Sequence, residues 1–137
     1  EMGGRSDTGV GSVREKTTWN SVKGSEVVAA AGMDEVVQAT KVGGATLTGL
    51  LGTGAWYAPG AAVSEIVKAS ALDSQKMIPC SALLDGEYNL SGLCIGVPCI
   101  IGKNGIERIV AVSLSDAEKA HMQSSAEGVS KTNALLN

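Results

Sequence analysis

The sequence predicts an α+β domain in which an antiparallel sheet carries long helices packed on it. Three observations point there. Apolar residues recur at helical spacing over two neighbouring stretches, 34–51 and about 55–72. Two apolar runs, 93–101 and 106–114, flank Gly102-Lys103-Asn104-Gly105, and Asn-Gly between such runs is a strong hairpin signal. A strand-like run at 76–84 precedes them, and Ser115-Asp116-Ala117-Glu118 then opens a last helix as a capping box. Helices first, hairpin strands next and a helix last describe segregated layers rather than alternating βαβ units.

Taken in order, residues 1–32 are rich in Gly, Ser, Thr and Val and lack a clear period. Within them, 10–14 reads as a short strand and 26–31 as a short helix closed by Gly32. In and just before 34–51, Met33, Val36, Val37, Thr40, Leu47, Leu50 and Leu51 fall near helical spacing, and Glu35 and Lys41 face solvent. Gly52-Thr53-Gly54 interrupts the helix. The next one carries Pro59 in its first turns, where a missing N–H is tolerated, and an apolar face of Val63, Ile66, Val67 and Ser70. The run 43–62 holds Gly43, Gly44, Gly49, Gly52 and Gly54 ahead of Pro59. Each interior glycine costs a helix about 1 kcal/mol against alanine. The run therefore reads either as a tight helix–helix contact or as a helix that breaks beside a pocket.

Asp85-Gly86 ends the 76–84 strand as a turn pair. In 93–101, Pro98 cannot donate to a ladder and suggests an edge or a bulge. In the return strand 106–114, Ile106, Arg108, Val110 and Val112 share one face, and Glu107, Ile109 and Ala111 the other. The last helix takes its apolar positions from Ala117, Ala120, Met122, Ala126 and Val129, and is expected to fray after Gly128.

Composition narrows the function classes. A chain of 137 residues is a single domain's worth, 1–137, with 44% hydrophobic and 18% charged residues. A net charge of −3, with no Lys or Arg run, argues against non-specific nucleic-acid binding. No uninterrupted apolar stretch reaches the ~18 residues of a membrane span. Phenylalanine is absent, so the core lacks large rings and leans on another domain or subunit. Cys80, Cys94 and Cys99 form no Cys-x-x-Cys and are odd in number, which indicates neither a disulfide framework nor a zinc site. They read as buried free thiols in a reducing compartment. No signal peptide is evident, and a start at Glu1 reads as a beginning partway through something or after processing.

Local patterns do not supply a complete catalytic site. His121 is the sole histidine, mid-helix, and reads as a solvent-facing residue rather than a metal ligand. No Gly-x-Gly-x-x-Gly follows a strand, and no P-loop occurs. Ser64, Ser70 and Ser81 have no nearby candidate base.

Longer blocks do carry a resemblance. Gly43-Gly44-Ala45 leading to Leu51-Gly52-Thr53-Gly54-Ala55-Trp56-Tyr57-Ala58-Pro59-Gly60-Ala61-Ala62 resembles a segment of lactate-dehydrogenase-like malate dehydrogenases. Met77-Ile78-Pro79-Cys80-Ser81 leading to Gly86-Glu87-Tyr88 is similar to the strand and turn of that family. The block from Cys94-Ile95-Gly96-Val97-Pro98-Cys99 through Asn104-Gly105-Ile106-Glu107 resembles its long hairpin. Leu114-Ser115-Asp116-Ala117-Glu118-Lys119 resembles the start of its closing helix. The resemblance covers about 33–130.

It implies the C-terminal, substrate-binding half of an NAD-dependent malate dehydrogenase, which interconverts malate and oxaloacetate in the tricarboxylic acid cycle. The Rossmann half that holds NAD in that family is not in the chain, and 1–32 are a diverged N-terminal part of the domain. NAD is then a cofactor only if a separate nucleotide-binding domain is supplied. The family's Gly-Gly-His-Gly-Asp-Thr motif, whose histidine is the acid/base, aligns with Gly3-Gly4-Arg5-Ser6-Asp7-Thr8. Arg5 thus stands at the histidine position, and Asp7 keeps the aspartate. Gly9 and Gly11 replace an apolar residue and a proline. Arginine stays protonated to above pH ~12 and is no base at neutral pH. Gly54 and Ala55 fall where the family lines its dicarboxylate pocket, and Gly54 replaces a common serine. The resemblance therefore implies a substrate-binding half that is not catalytic as an isolated chain. The alternative is a non-catalytic structural or accessory subunit of a larger assembly. Expected partners are other protein subunits or a missing N-terminal domain, in an oligomer, with no nucleic acid and no membrane span. The compartment implied is the cytoplasm or the mitochondrial matrix.

Overall fold

A computed structural model describes Lys16 and residues 18–136. The strand expected at 10–14 lies outside them, as do Arg5 and Asp7. A two-residue ladder, β1 (Thr18–Trp19) against β2 (Val22–Lys23), leads into the short helix α1 (Gly24–Val27). Helices α2 (Ala30–Leu51) and α3 (Tyr57–Ala71) follow. Strands β3 (Lys76–Asp85), β4 (Ser91–Gly102) and β5 (Gly105–Ile109) come next, and α4 (Asp116–Asn133) follows them, with a 3-10 turn at Ala134–Leu136 after it. The second sheet is antiparallel throughout, with β4 between β3 and β5. This is the α+β layout that the sequence predicts.

Local chemistry sets the breaks. The helix expected at 26–31 is split, because Val28 is extended (φ −124, ψ 130) and ends α1. Gly32 then falls inside the first turns of α2 rather than closing a helix. A Cβ there would stand 3.1 Å from Val28 Cγ1, so glycine leaves room for that valine. α2 ends at Gly52, which is left-handed (φ 67), and its N–H donates to the Thr48 carbonyl at 3.0 Å. In the hairpin, Lys103 and Asn104 connect Gly102 to Gly105. The positive φ falls on Gly105 (φ 90) and not on Asn104.

Pro98 sits in the central strand, opposite Pro79, which corrects the edge reading. In an antiparallel strand a residue's N–H and C=O point to the same neighbour. Val110 N–H donates to the Pro98 carbonyl at 2.8 Å, so the missing proline donor faces β5. The return bond cannot form, and β5 ends at Ile109, well short of 114. Within β5 the register steps from Ile100↔Arg108 to Ile101↔Ile106. Glu107 is therefore an extra residue, and the simple alternation expected for 106–114 is lost. Ile109 packs against the core while Ile106 is exposed.

The core is built on one face of β4. Ile95, Val97, Cys99 and Ile101 are buried there beside Ala82 and Leu84 of β3. Ala69 of α3 and Met122 and Ala126 of α4 complete it. The buried stripe of α3 is Ile66 and Ala69, whereas Val63 and Val67 are exposed, contrary to expectation. The small Ala69 side chain lets the helix approach the sheet. Ser115 caps α4 in the expected box: Glu118 N–H donates to Ser115 Oγ at 3.4 Å, and Ser115 N–H donates to Glu118 Oε2 at 2.8 Å. α4 does not fray after Gly128 but runs to Asn133. Gly128 and Val129 are still half-buried, so packing continues past the glycine.

α2 stands apart. None of its 22 residues is buried, and Leu50 is 81% exposed. A Cβ on Gly43, Gly44 or Gly49 would meet nothing within 4 Å. The tight helix–helix contact is thus not made among the described residues, while the helix break is.

Candidate functional site: the elbow between the two long helices

The elbow runs from the left-handed Gly52 to Tyr57 and presents Gly54 and Ala55 on an irregular segment. Gly54 is exposed and Ala55 half-buried. A Cβ on Gly54 would meet nothing within 4 Å, and its φ is not in the left-handed region. Nothing in the fold therefore requires glycine there, and a serine would fit.

α3 starts directly after Ala55 with Trp56 at its N-cap, which makes no side-chain cap. Pro59 has no N–H, and Gly60 N–H donates to the Trp56 carbonyl at 2.8 Å. The first-turn donors left are Tyr57 and Ala58, at the positive end of a 15-residue helix. Sequence reasoning missed this feature. Its signal was present, since Ala55-Trp56-Tyr57 offers no capping side chain before Pro59. Trp56 and Tyr57 are both exposed, as are Leu50 and Leu51 at the end of α2.

The middle of α3 and the segment after it are tied to the sheet. Lys76 Nζ meets Glu65 Oε2 at 2.5 Å, and that bond, with the lysine charge, holds the Glu65 carboxyl below its ordinary value. Asp73 Oδ1 accepts from Lys103 N–H at 2.9 Å and Gln75 Nε2 at 2.8 Å. The Lys103 N–H chiefly, then Gln75, lowers the Asp73 carboxyl likewise.

The remaining candidates are dispersed. His121 is exposed on α4, as expected. Cys99 is buried and Cys80 half-buried, and burial pushes both thiols up. Cys94 is exposed, which corrects the expectation of three buried thiols; it lies on the outer face of β4, opposite Leu83. Among the described residues, no group of three His, Cys, Asp or Glu is placed to hold a metal. No helix among them is long and apolar enough to cross a membrane.

Residues 2–134 match the lactate/malate dehydrogenase, alpha/beta C-terminal domain. Malate dehydrogenase of Bacteroides fragilis is 50% identical over 98% of the chain, which covers 43% of that protein. The solved structure of malate dehydrogenase from Salinibacter ruber superposes with a TM-score of 0.95 at 38% identity, covering 98% of this chain and 44% of that one. Lactate dehydrogenase from Cryptosporidium parvum superposes at 0.91 and 30% identity, covering 99% and 47%. The chain thus spans less than half the length of the relatives it matches.

Proposed function

Because the chain belongs to the lactate/malate dehydrogenase family and carries its α/β C-terminal domain, we propose that it is the substrate-binding half of a malate dehydrogenase. The reaction would be NAD-dependent interconversion of malate and oxaloacetate. The observation that carries the reading is the elbow. Gly54 and Ala55 stand beside the uncapped start of α3, where the Tyr57 and Ala58 N–H groups and the helix dipole favour a carboxylate.

The described residues do not fit NAD. All their strand pairings are antiparallel, so they include no βαβ unit to cradle a dinucleotide. NAD, which accepts the hydride when bound, would be held by a separate nucleotide-binding domain. The acid/base position is occupied by Arg5, which stays protonated at neutral pH and would not take the hydroxyl proton there. Asp7 would sit two residues on in the same motif.

The isolated chain is therefore expected to show no malate/NAD turnover above background. Arg5→His, joined to a nucleotide domain from a relative, is expected to raise activity. Turnover by the unaltered isolated chain would overturn the first statement.

A second reading, a non-catalytic or accessory subunit, is favoured if another subunit rather than a nucleotide domain covers α2. Its exposed Val36, Val42, Leu47 and Leu50 suit burial against another subunit or domain. Failure of Arg5→His to raise activity, with assembly intact, would favour it. Under either reading the chain works within an oligomer. Its free thiols suit a reducing compartment, cytoplasm or mitochondrial matrix.

A further inference from the structure

We propose that a cavity away from the elbow binds a monocarboxylate with an apolar tail. It lies between the Gly86–Leu90 turn, residues 112–114 and the first turns of α4, and its volume is ≈ 620 Å³. Ligand pockets typically enclose about 300–1,000 Å³. The proposal is independent of the malate reading.

The cavity is held open by bonds that exist without a ligand. Val112 N–H donates to the Tyr88 hydroxyl oxygen at 2.9 Å, fastening one wall to another. Gly86 N–H donates to the Leu90 carbonyl at 2.9 Å and Leu90 N–H to the Glu87 carbonyl at 3.0 Å, closing the turn. Inside it, Tyr88 and Asn89 are consecutive left-handed residues without being glycine (φ 55 and 58). Such a conformation persists only where the surroundings over-determine it. The third wall is the start of α4, fixed by the Ser115 capping box.

The lining selects the ligand. Buried Leu90 and Met122 and half-buried Leu114 form an apolar interior for a hydrocarbon tail. Among the described residues of the lining, Lys119 is the sole charged one, so the head group it favours carries one negative charge. Its present partner is Asp116, 3.0 Å away, whose side chain is 99% exposed. An exposed pair of this kind holds weakly, and a carboxylate at the cavity mouth can displace it. The amides of Asn89 and Gln123 add hydrogen-bond donors to the lining.

The test uses octanoate as probe and 1-octanol as its neutral counterpart, followed by amide NMR shifts of the 137-residue chain. Octanoate is expected to give saturable shifts at residues 88–90, 112–114 and 119–123. Lys119→Met is expected to weaken octanoate about fivefold and leave 1-octanol unchanged. Ala120→Trp places a ring in the cavity from an exposed helix position and is expected to abolish both. Gln123→Trp, also from an exposed position, replaces it should the first variant lose its native spectrum. Shifts that never saturate, binding that survives the filled cavity, or equal octanoate affinity in Lys119→Met would each overturn the proposal.

Discussion

β4 and α2 are built from the same kinds of apolar residue and end in opposite surroundings. Ile95, Val97 and Cys99 of β4 are fully buried, while no residue of α2 is. β4 has neighbours on both edges and two helices over one face. α2 has its own backbone ladder and carries Gly43, Gly44 and Gly49, each worth about 1 kcal/mol against it. Helices in proteins draw most of their stability from tertiary packing rather than propensity. The comparison teaches that the sheet with α3 and α4 is a self-contained core, whereas α2 buries no residue among the described residues. That supports the reading in which a nucleotide domain or another subunit covers it.

The sharpest way to break the comparison is to remove core volume from β4. Ile95→Ala should cost about 2–5 kcal/mol, because a fully buried side chain leaves a cavity as well as losing its transfer energy. Urea unfolding of the isolated chain reads this directly. A loss below about 1 kcal/mol would mean that the sheet is no tighter than the helix.

What the sequence made legible follows the same divide. The apolar run of β4, the hairpin at 102–105 and the Ser115 box rest on residues close together in sequence, and they are found where the patterns put them. The end of β5 was not legible, since it depends on Pro98 of the neighbouring strand facing Val110. Nor was the buried stripe of α3. Periodicity weighs Val63 and Val67 by their hydrophobicity, but sheet approach selects the small Ala69. For the site, Gly54 and Ala55 are proposed through resemblance alone. The uncapped start of α3 behind them was overlooked, because an absent cap leaves no motif to find.

The capping box offers the next largest effect. Ser115→Ala removes the acceptor of the Glu118 N–H and should cost about 1 kcal/mol. α4 contributes Met122 and Ala126 to the core, so the loss should appear in global unfolding. A loss confined to fraying of the first turn by hydrogen exchange would show that α4 is held by its sheet contact alone.

On α2, Leu50→Ala should change stability of the isolated chain by less than about 0.5 kcal/mol, as at an exposed site. The same substitution with a nucleotide domain joined on should cost more, if that domain covers the helix. Equal small effects in both settings would leave α2 uncovered and count against the substrate-half reading.

The smallest effect expected is at Asp73, which fastens the α3–β3 connection to the hairpin through Lys103 N–H. Its folded pKa lies below the unfolded value, first because of that backbone donor and then because of Gln75. A depressed carboxylate contributes stability above its unfolded pKa, about 3.9, and loses it as pH falls through the folded pKa. Asp73→Asn keeps an acceptor for Lys103 but removes the charge. The wild-type chain should therefore be the more stable at neutral pH, and the two urea midpoints should converge below about pH 4. The carboxylate is exposed, so the difference should be small and shrink further in salt. Midpoints that stay parallel across the acid range would place the value of Asp73 in its shape rather than its charge.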